Sequence, residues 1–145
     1  MDKYESLKLE NQICFPLYAC AKEITRHYRP FLESLDLTYT QYITMMVLWE
    51  EKEINVKRLG EKIFLDSGTL TPLLKQLEKK EYIVRGRSKD DERVLNVKIT
   101  DKGLKLRDKA LDVPTKIASC VKLSQDEAVF LYKILYKLLG NIENE

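Results

Sequence analysis

A single histidine, His27, and three scattered cysteines, Cys14, Cys20 and Cys120, are the only imidazole and thiol groups in the chain. That scarcity excludes a metal cluster and a disulfide scaffold, because both need closely spaced Cys or His residues. No stretch approaches the ~20 apolar residues of a membrane span, and Met1-Asp2-Lys3-Tyr4-Glu5 lacks the basic and apolar regions of a signal peptide. A cytoplasmic protein with no membrane contact is expected. The chain also lacks a glycine-rich phosphate loop, and His27 has no catalytic constellation around it. A thiol peroxidase or other cysteine enzyme is therefore disfavoured, and neither a cofactor nor a metal is expected. Charge is nearly balanced too: a net +2 is too small to announce a nucleic-acid binder. Its distribution says more, since residues 55–93 hold ten Lys or Arg against seven Asp or Glu.

What is present is periodic. At 145 residues the chain suits one domain with an extension. Leu7, Ile13, Leu17, Ala21, Ile24, Tyr28, Phe31 and Leu35 recur mostly three or four apart, which is one face of a long helix. Pro16 is tolerated only in a first turn, so the pattern predicts a start capped by Asn11 with Cys14 in that turn; Pro30 predicts a kink or an end. Thr38 with Gln41 reads as a capping box for a helix to about Glu51, and Asn55 caps a short one. After a turn at Leu65-Asp66, the stripe Leu70, Leu73, Leu74 and Leu77 marks another helix, ending near Lys80. Two short helices joined by a tight turn outline a helix-turn-helix.

Beyond Tyr82 the period drops to two. Ile83–Arg87 and Arg93–Ile99 read as strands around a polar tip at residues 88–92, which makes a wing. Thr100 caps a further helix, Pro114 interrupts it, and Ser124 with Glu127 opens a last helix striped by Ala128, Leu131, Ile134, Leu135, Leu138 and Ile142. The expected fold class is mainly helical, α+β. A winged helix-turn-helix over residues 39–100 is bracketed by N- and C-terminal dimerisation helices over 1–38 and 101–145, in a single compact domain. The terminal helices carry more apolar face than so small a core can cover, and a second copy is the natural cover.

Three runs then carry a family likeness: Leu9-Glu10-Asn11-Gln12-Ile13-Cys14-Phe15, the stretch from Leu65-Asp66-Ser67-Gly68 to Lys75, and Asp91-Glu92-Arg93. Together with the order of elements they resemble the MarR family of bacterial regulators and, within it, the organic hydroperoxide resistance repressors. The resemblance covers nearly the whole chain. It implies a redox-sensing repressor, not an enzyme, that binds double-stranded operator DNA as a homodimer. Two relatives of that reading use the same fold: a repressor released by a small aromatic ligand, and a broader oxidative-stress or virulence regulator.

In a helix-turn-helix the second helix enters the major groove, N-terminal residues first. Opposite the leucines it offers Ser67, Thr69, Thr71, Lys75, Gln76 and Lys79, hydroxyls that suit base edges or phosphates and then cations. The plainer alternative is a solvated face capped by Ser67. Arg93, at the wing, is placed for a narrow minor groove, with Asp91 holding its guanidinium; otherwise the two are a surface ion pair. Lys57, Arg58, Arg85, Arg87 and Lys89 suit phosphates.

Cys14 has the position of a peroxide-sensing thiol, in a first helical turn where the macrodipole favours negative charge, with Tyr18 one turn along. The resemblance adds Tyr28 and Tyr39 as phenol donors to its sulfur. In one continuous helix Tyr28 would lie about 21 Å from Cys14, so tyrosines touching the sulfur should come from the other subunit. The competing reading is a cysteine packed as a small hydrophobe among core tyrosines. Cys20 is about 9 Å along and on another face, which forbids a disulfide with Cys14. Cys120 resembles the second cysteine of a two-cysteine branch, implying an intersubunit disulfide; one-cysteine relatives take a small thiol as a mixed disulfide instead.

Overall fold

A computed structural model of the chain describes residues 1–143, so Asn144 and Glu145, the end of the expected C-terminal region, lie outside the described residues. The fold is mainly helical with one small sheet, a winged helix-turn-helix flanked by helices. The chain divides into two units, Met1–Val113 and Pro114–Glu145.

The first unit opens with two short turns of 3-10 helix, Glu5–Leu7 and Leu9–Asn11, before α1 (Cys14–Glu33). Asn11 is not the cap the sequence suggested. Its side-chain amide donates back to the Glu5 carbonyl at 2.8 Å, and Gln12 does the same to Ser6 at 2.7 Å, which spends both amides on the preceding turns. Ile13 takes the cap position with no side-chain bond. Pro30 does not end the helix, which runs on to Glu33. It stands within the last turn of α1, where it forgoes the bond to the Arg26 carbonyl, and the chain reverses later, at Asp36, with φ of 53°.

α2 (Tyr39–Glu51) starts at the expected capping box: Thr38 Oγ1 accepts from the Gln41 N–H at 3.3 Å, and Gln41 Oε1 from the Thr38 N–H at 3.1 Å. Next comes a strand that the sequence had not suggested, β1 (Glu53–Asn55). Asn55 caps α3 (Val56–Ile63) by accepting from the Arg58 N–H at 2.7 Å. Phe64 ends α3 in the left-handed region, and the tight turn brings the Leu65 carbonyl so near Gly60 that a Cβ there would sit 2.7 Å from it. α4 (Ser67–Lys79) is then capped by Asp66, which accepts from the Thr69 N–H at 2.8 Å, rather than by Ser67. A carboxylate takes the role well, being both a cap and an anion at the positive end of the helix.

β2 (Ile83–Arg87) and β3 (Leu95–Ile99) form the wing, with sheet order β1-β3-β2, all antiparallel; Ile54 pairs with Val97, and Arg85 also faces Val97 from the other side. β3 begins two residues later than expected. Asp91 turns the chain by accepting the Val94 N–H at 3.0 Å, which leaves Arg93 at the tip. Thr100 caps α5 (Asp101–Ala110) through the Gly103 N–H at 3.1 Å.

The core lies beneath the helix-turn-helix. Met45 and Leu48 of α2, Leu59 of α3, Leu70, Leu74 and Leu77 of α4, Ile83 and Val97 of the sheet are all but sealed from solvent. Trp49 donates its indole N–H to the Gly103 carbonyl at 2.9 Å and so ties α2 to α5. α1 buries only Leu32 in this core, with Tyr28 and Phe31 half-buried against it, and leaves Ile13, Phe15, Leu17, Tyr18 and Ile24 exposed.

α6 (Val113–Val121) leads into the second unit, whose long helix is α7 (Gln125–Glu143). Its expected capping box is present, with Ser124 and Glu127 exchanging bonds at 3.2 and 3.1 Å. α7 buries none of its residues, and Leu131, Ile134, Leu138 and Ile142 stand open on it.

Candidate nucleic-acid interface and thiol site

Four leucines turn α4 into the core, and everything on its other side is therefore presented to solvent. Ser67, Thr69, Thr71, Lys75, Gln76 and Lys79 are all exposed, as the stripe required. The Asp66 cap fixes where the first turn points. Pro72 sits inside α4 and cannot bond the Gly68 carbonyl, so this first turn is also the more open one.

The cationic residues sort into two kinds. Lys57, Arg87 and Lys89 are exposed and make none of the ion pairs found among the described residues. Arg58 and Arg85 are already engaged. Arg58 pairs with Glu51 at 3.1 Å beside Lys62 at 2.9 Å, and the bond from Lys62 first, then the charges of both cations, hold that carboxyl below the usual range. Arg85 is more deeply committed. Its guanidinium and its backbone N–H both go to Glu78 of α4, at 3.1 and 3.0 Å, and they hold the Glu78 carboxyl low. Its side chain is only 20% exposed. Arg85 thus braces the wing against α4. Glu78 was not singled out in the sequence, and nothing there marks it, because the bond joins two elements.

Arg93 is the opposite case. It is 91% exposed, and its only ion pair among the described residues is with Asp91, whose two oxygens accept from the guanidinium at 3.2 and 3.3 Å and whose Oδ1 also accepts the Arg93 N–H at 3.0 Å. These bonds draw the Asp91 carboxyl below its ordinary range. The result is an arginine aimed outward from the tip by its own neighbour.

The thiol region is built on α1. Cys14 is the first residue of that helix and is exposed, as is Tyr18 one turn on. A surface cleft of about 720 Å³, lined by Leu9, Gln12, Phe15 and Pro16 among others, opens at this end. Cys20 and Cys120 are also exposed, and all three thiols are free.

Tyr28 and Tyr39 come together as a pair, but away from Cys14. Their rings lie 4.9 Å apart, and Tyr42, which sequence reasoning missed, packs on Tyr28 at 5.8 Å. The spacing of Tyr42 three residues after Tyr39 was the available signal. Burial, then the neighbouring phenols Tyr39 and Tyr42, push the Tyr28 hydroxyl up to about 12; burial raises Tyr39 as well. Both therefore remain protonated donors near neutral pH. Because α1 is unbroken from Cys14 to Glu33, Tyr28 lies about 21 Å along the axis from Cys14. One protomer does not assemble the thiol with these phenols.

Among the described residues no group of His, Cys, Asp and Glu is arranged to hold a metal ion, and no helix is long and apolar enough to cross a membrane.

The sequence profile of the SarA/Rot transcriptional regulators matches residues 26–110. Over 144 residues the chain is 42% identical to the organic hydroperoxide resistance transcriptional regulator of Bacillus subtilis (strain 168), covering 99% of this chain and 98% of that protein. Among solved structures it is similar to reduced AbfR bound to DNA, with a TM-score of 0.77, 34% identity and 97% of each chain covered. The disulfide form of AbfR gives a TM-score of 0.67 at 32% identity over 97% of this chain and 96% of that one. AbfR is a protein of Staphylococcus epidermidis.

Proposed function

Because the chain belongs to the MarR-type transcriptional regulators, in the organic hydroperoxide resistance group with its SarA/Rot-like core, we propose that it is a redox-released repressor. It binds operator DNA as a homodimer and leaves when Cys14 is oxidised. The observation that carries this reading is the exposed thiol at the first position of α1, on a chain whose α4 and wing present hydroxyls and cations outward.

In the DNA-bound form, the first turn of α4 lies in the major groove with Ser67, Thr69 and Thr71 nearest the bases and Lys75, Gln76 and Lys79 along the groove wall. Arg93 enters the flanking minor groove. Lys57, Arg87 and Lys89 take phosphates directly, while Arg58 and Arg85 do so only by sharing their carboxylates' hold. Residues 39–100 serve DNA binding, and residues 1–38 with 101–145 serve dimerisation, which covers the apolar faces of α1 and α7. Such a protein works in the cytoplasm.

In the sensing step the Cys14 thiolate attacks one oxygen of the hydroperoxide. The O–O bond breaks, the alkoxide leaves and takes a proton to become an alcohol, and the sulfur, oxidised by two electrons, becomes a sulfenic acid. Tyr28 and Tyr39 of the partner subunit, with Tyr18, hold that sulfur. A second thiol then attacks the sulfenic sulfur and water leaves, forming a disulfide; the second thiol is the partner subunit's Cys120 or a small thiol. Similarity to a protein known in a disulfide form supports the first route.

The test uses a duplex selected from random DNA by the reduced protein. Treatment with one equivalent of cumene hydroperoxide is expected to abolish binding by the wild type and to leave Cys14→Ser bound. Unchanged binding by the wild type would overturn the reading. Non-reducing electrophoresis of the same samples separates a crosslinked dimer from a monomer carrying a small thiol.

A further inference from the structure

Lysines near the end of a helix commonly bond that helix's own last carbonyls. Lys80, the C-cap residue of α4, does not. Its ammonium crosses to the turn between α1 and α2, where it donates to the Asp36 carbonyl oxygen and to Gln41 Oε1 at 3.1 Å, with the Asp36 carboxylate 3.6 Å away. Only 24% of the side chain is exposed. Two of the ammonium's protons go to these carbonyl oxygens, and the carboxylate faces its charge at ion-pair distance.

The acceptors are not neutral scaffolding. Gln41 Oε1 also accepts the Thr38 N–H at 3.1 Å, so the oxygen that Lys80 binds is the one that starts α2. Tyr39 is the first residue of α2 and stacks on Tyr28 at 4.9 Å. At its other end Lys80 is part of a fixed junction. The Tyr82 N–H closes α4 on the Leu77 carbonyl at 3.1 Å, Lys102 holds the Lys80 carbonyl at 3.0 Å, and the Thr100 hydroxyl holds that of Glu81 at 2.6 Å. A displaced Lys80 therefore carries the end of α4 with it.

We infer that Lys80 is a positioning residue through which the tyrosine pair of the thiol site sets the direction of the recognition helix; this rests on the roles of Cys14 and α4 proposed above. When the oxidised sulfur moves Tyr39, the first turn of α2 moves with it and takes Gln41 Oε1 away from Lys80, pulling on the adjoining turn that holds the Asp36 acceptors. A half-buried ammonium follows its partners rather than stand unpaired. α4 is 13 residues long, a lever of about 20 Å, so tilting its C-terminal end by about 5° displaces the DNA-facing end by nearly 2 Å. Hydrogen bonds to base edges tolerate only about 0.5 Å.

The experiment compares operator dissociation constants of reduced and hydroperoxide-treated dimer, the ratio of the two being the coupling, in wild type, Lys80→Met and Lys80→Arg. Lys80→Met is expected to lower the ratio at least fivefold while Cys14 is oxidised at the wild-type rate, read by thiol trapping. Lys80→Arg, which keeps the charge and the donors, restores most of it. Gln41→Met removes an acceptor from the other side and must lower the ratio likewise; it decides the matter if Lys80→Met does not fold. A ratio within twofold of wild type in the folded variant, or equal weakening of both forms, overturns the inference. A wild-type ratio of one would instead overturn the sensing role of Cys14 and leave no coupling for Lys80 to carry.

Discussion

Arg93 and Arg85 sit on one wing and behave as different residues. Arg93 contributes little to the fold, because solvent screens an exposed pair such as Asp91–Arg93 and leaves it almost no net effect on stability. Arg93→Ala should therefore leave the melting temperature within experimental error and lower operator affinity at least tenfold, measured by fluorescence anisotropy; Asp91→Ala should lower it less, by freeing the arginine to wander. Asp-x-Arg was legible in the sequence because both partners lie within three residues. The Glu78–Arg85 brace was not, since the two residues are neighbours only once β2 has folded back along α4. Tyr28 makes a second test. Its hydroxyl ionises at about 12 instead of 10.0, chiefly because it is buried, so the folded state holds this proton more tightly than the unfolded chain. The associated stability is complete below pH 10 and is lost as pH rises towards 12. In an alkaline absorbance titration Tyr28→Phe should remove the last phenol to ionise; loss of an early one would contradict the burial seen here.

At the level of elements, caps determined most of what could be read in advance. Thr38, Asn55, Thr100 and Ser124 each stand where a periodic apolar run begins, and each makes the bond expected of it. The cap of α4 was misjudged by one residue, as Asp66 and Ser67 are both good candidates and only the φ, ψ angles of the turn decide between them. Asp66→Ala should cost about 0.5–2 kcal/mol in urea unfolding and should weaken operator binding beyond that, because the DNA-facing turn loses its anchor. An effect on stability alone would mean that the first turn of α4 is not at the DNA. β1 escaped notice for a different reason. Three residues carry no measurable period, and the strand exists only because β3, some forty positions later, supplies its partner. Pro30 erred the other way: the rule that disfavours proline in helix interiors predicted a kink or an end, yet α1 runs three residues past it, to Glu33.

For the molecule as a whole, the exposed apolar faces of α1 and α7 were legible as period and count, and the missing core around them is what points to a second copy. If the proposed dimer forms through α7, Leu131→Glu with Ile134→Glu should give a monomer in sedimentation velocity and abolish operator binding, while the Trp49 near-ultraviolet signal, which reports the first unit, stays native. A doubly substituted protein that remains dimeric would exclude α7 from the interface. What no sequence pattern supplied was the pairing of Tyr28 with Tyr39 inside one protomer, because it depends on how α1 packs on α2. The unbroken α1 has one more consequence. A helix that holds Cys14 and Tyr28 about 21 Å apart leaves a solitary subunit without its own Tyr28 beside the thiol, so the sensing proposed above belongs to the pair of chains and not to one. On that proposal sensitivity to oxidant is a function of abundance: the number of copies a cell makes would set its alarm threshold, and dilution below the dimerisation constant would silence repressor and sensor together.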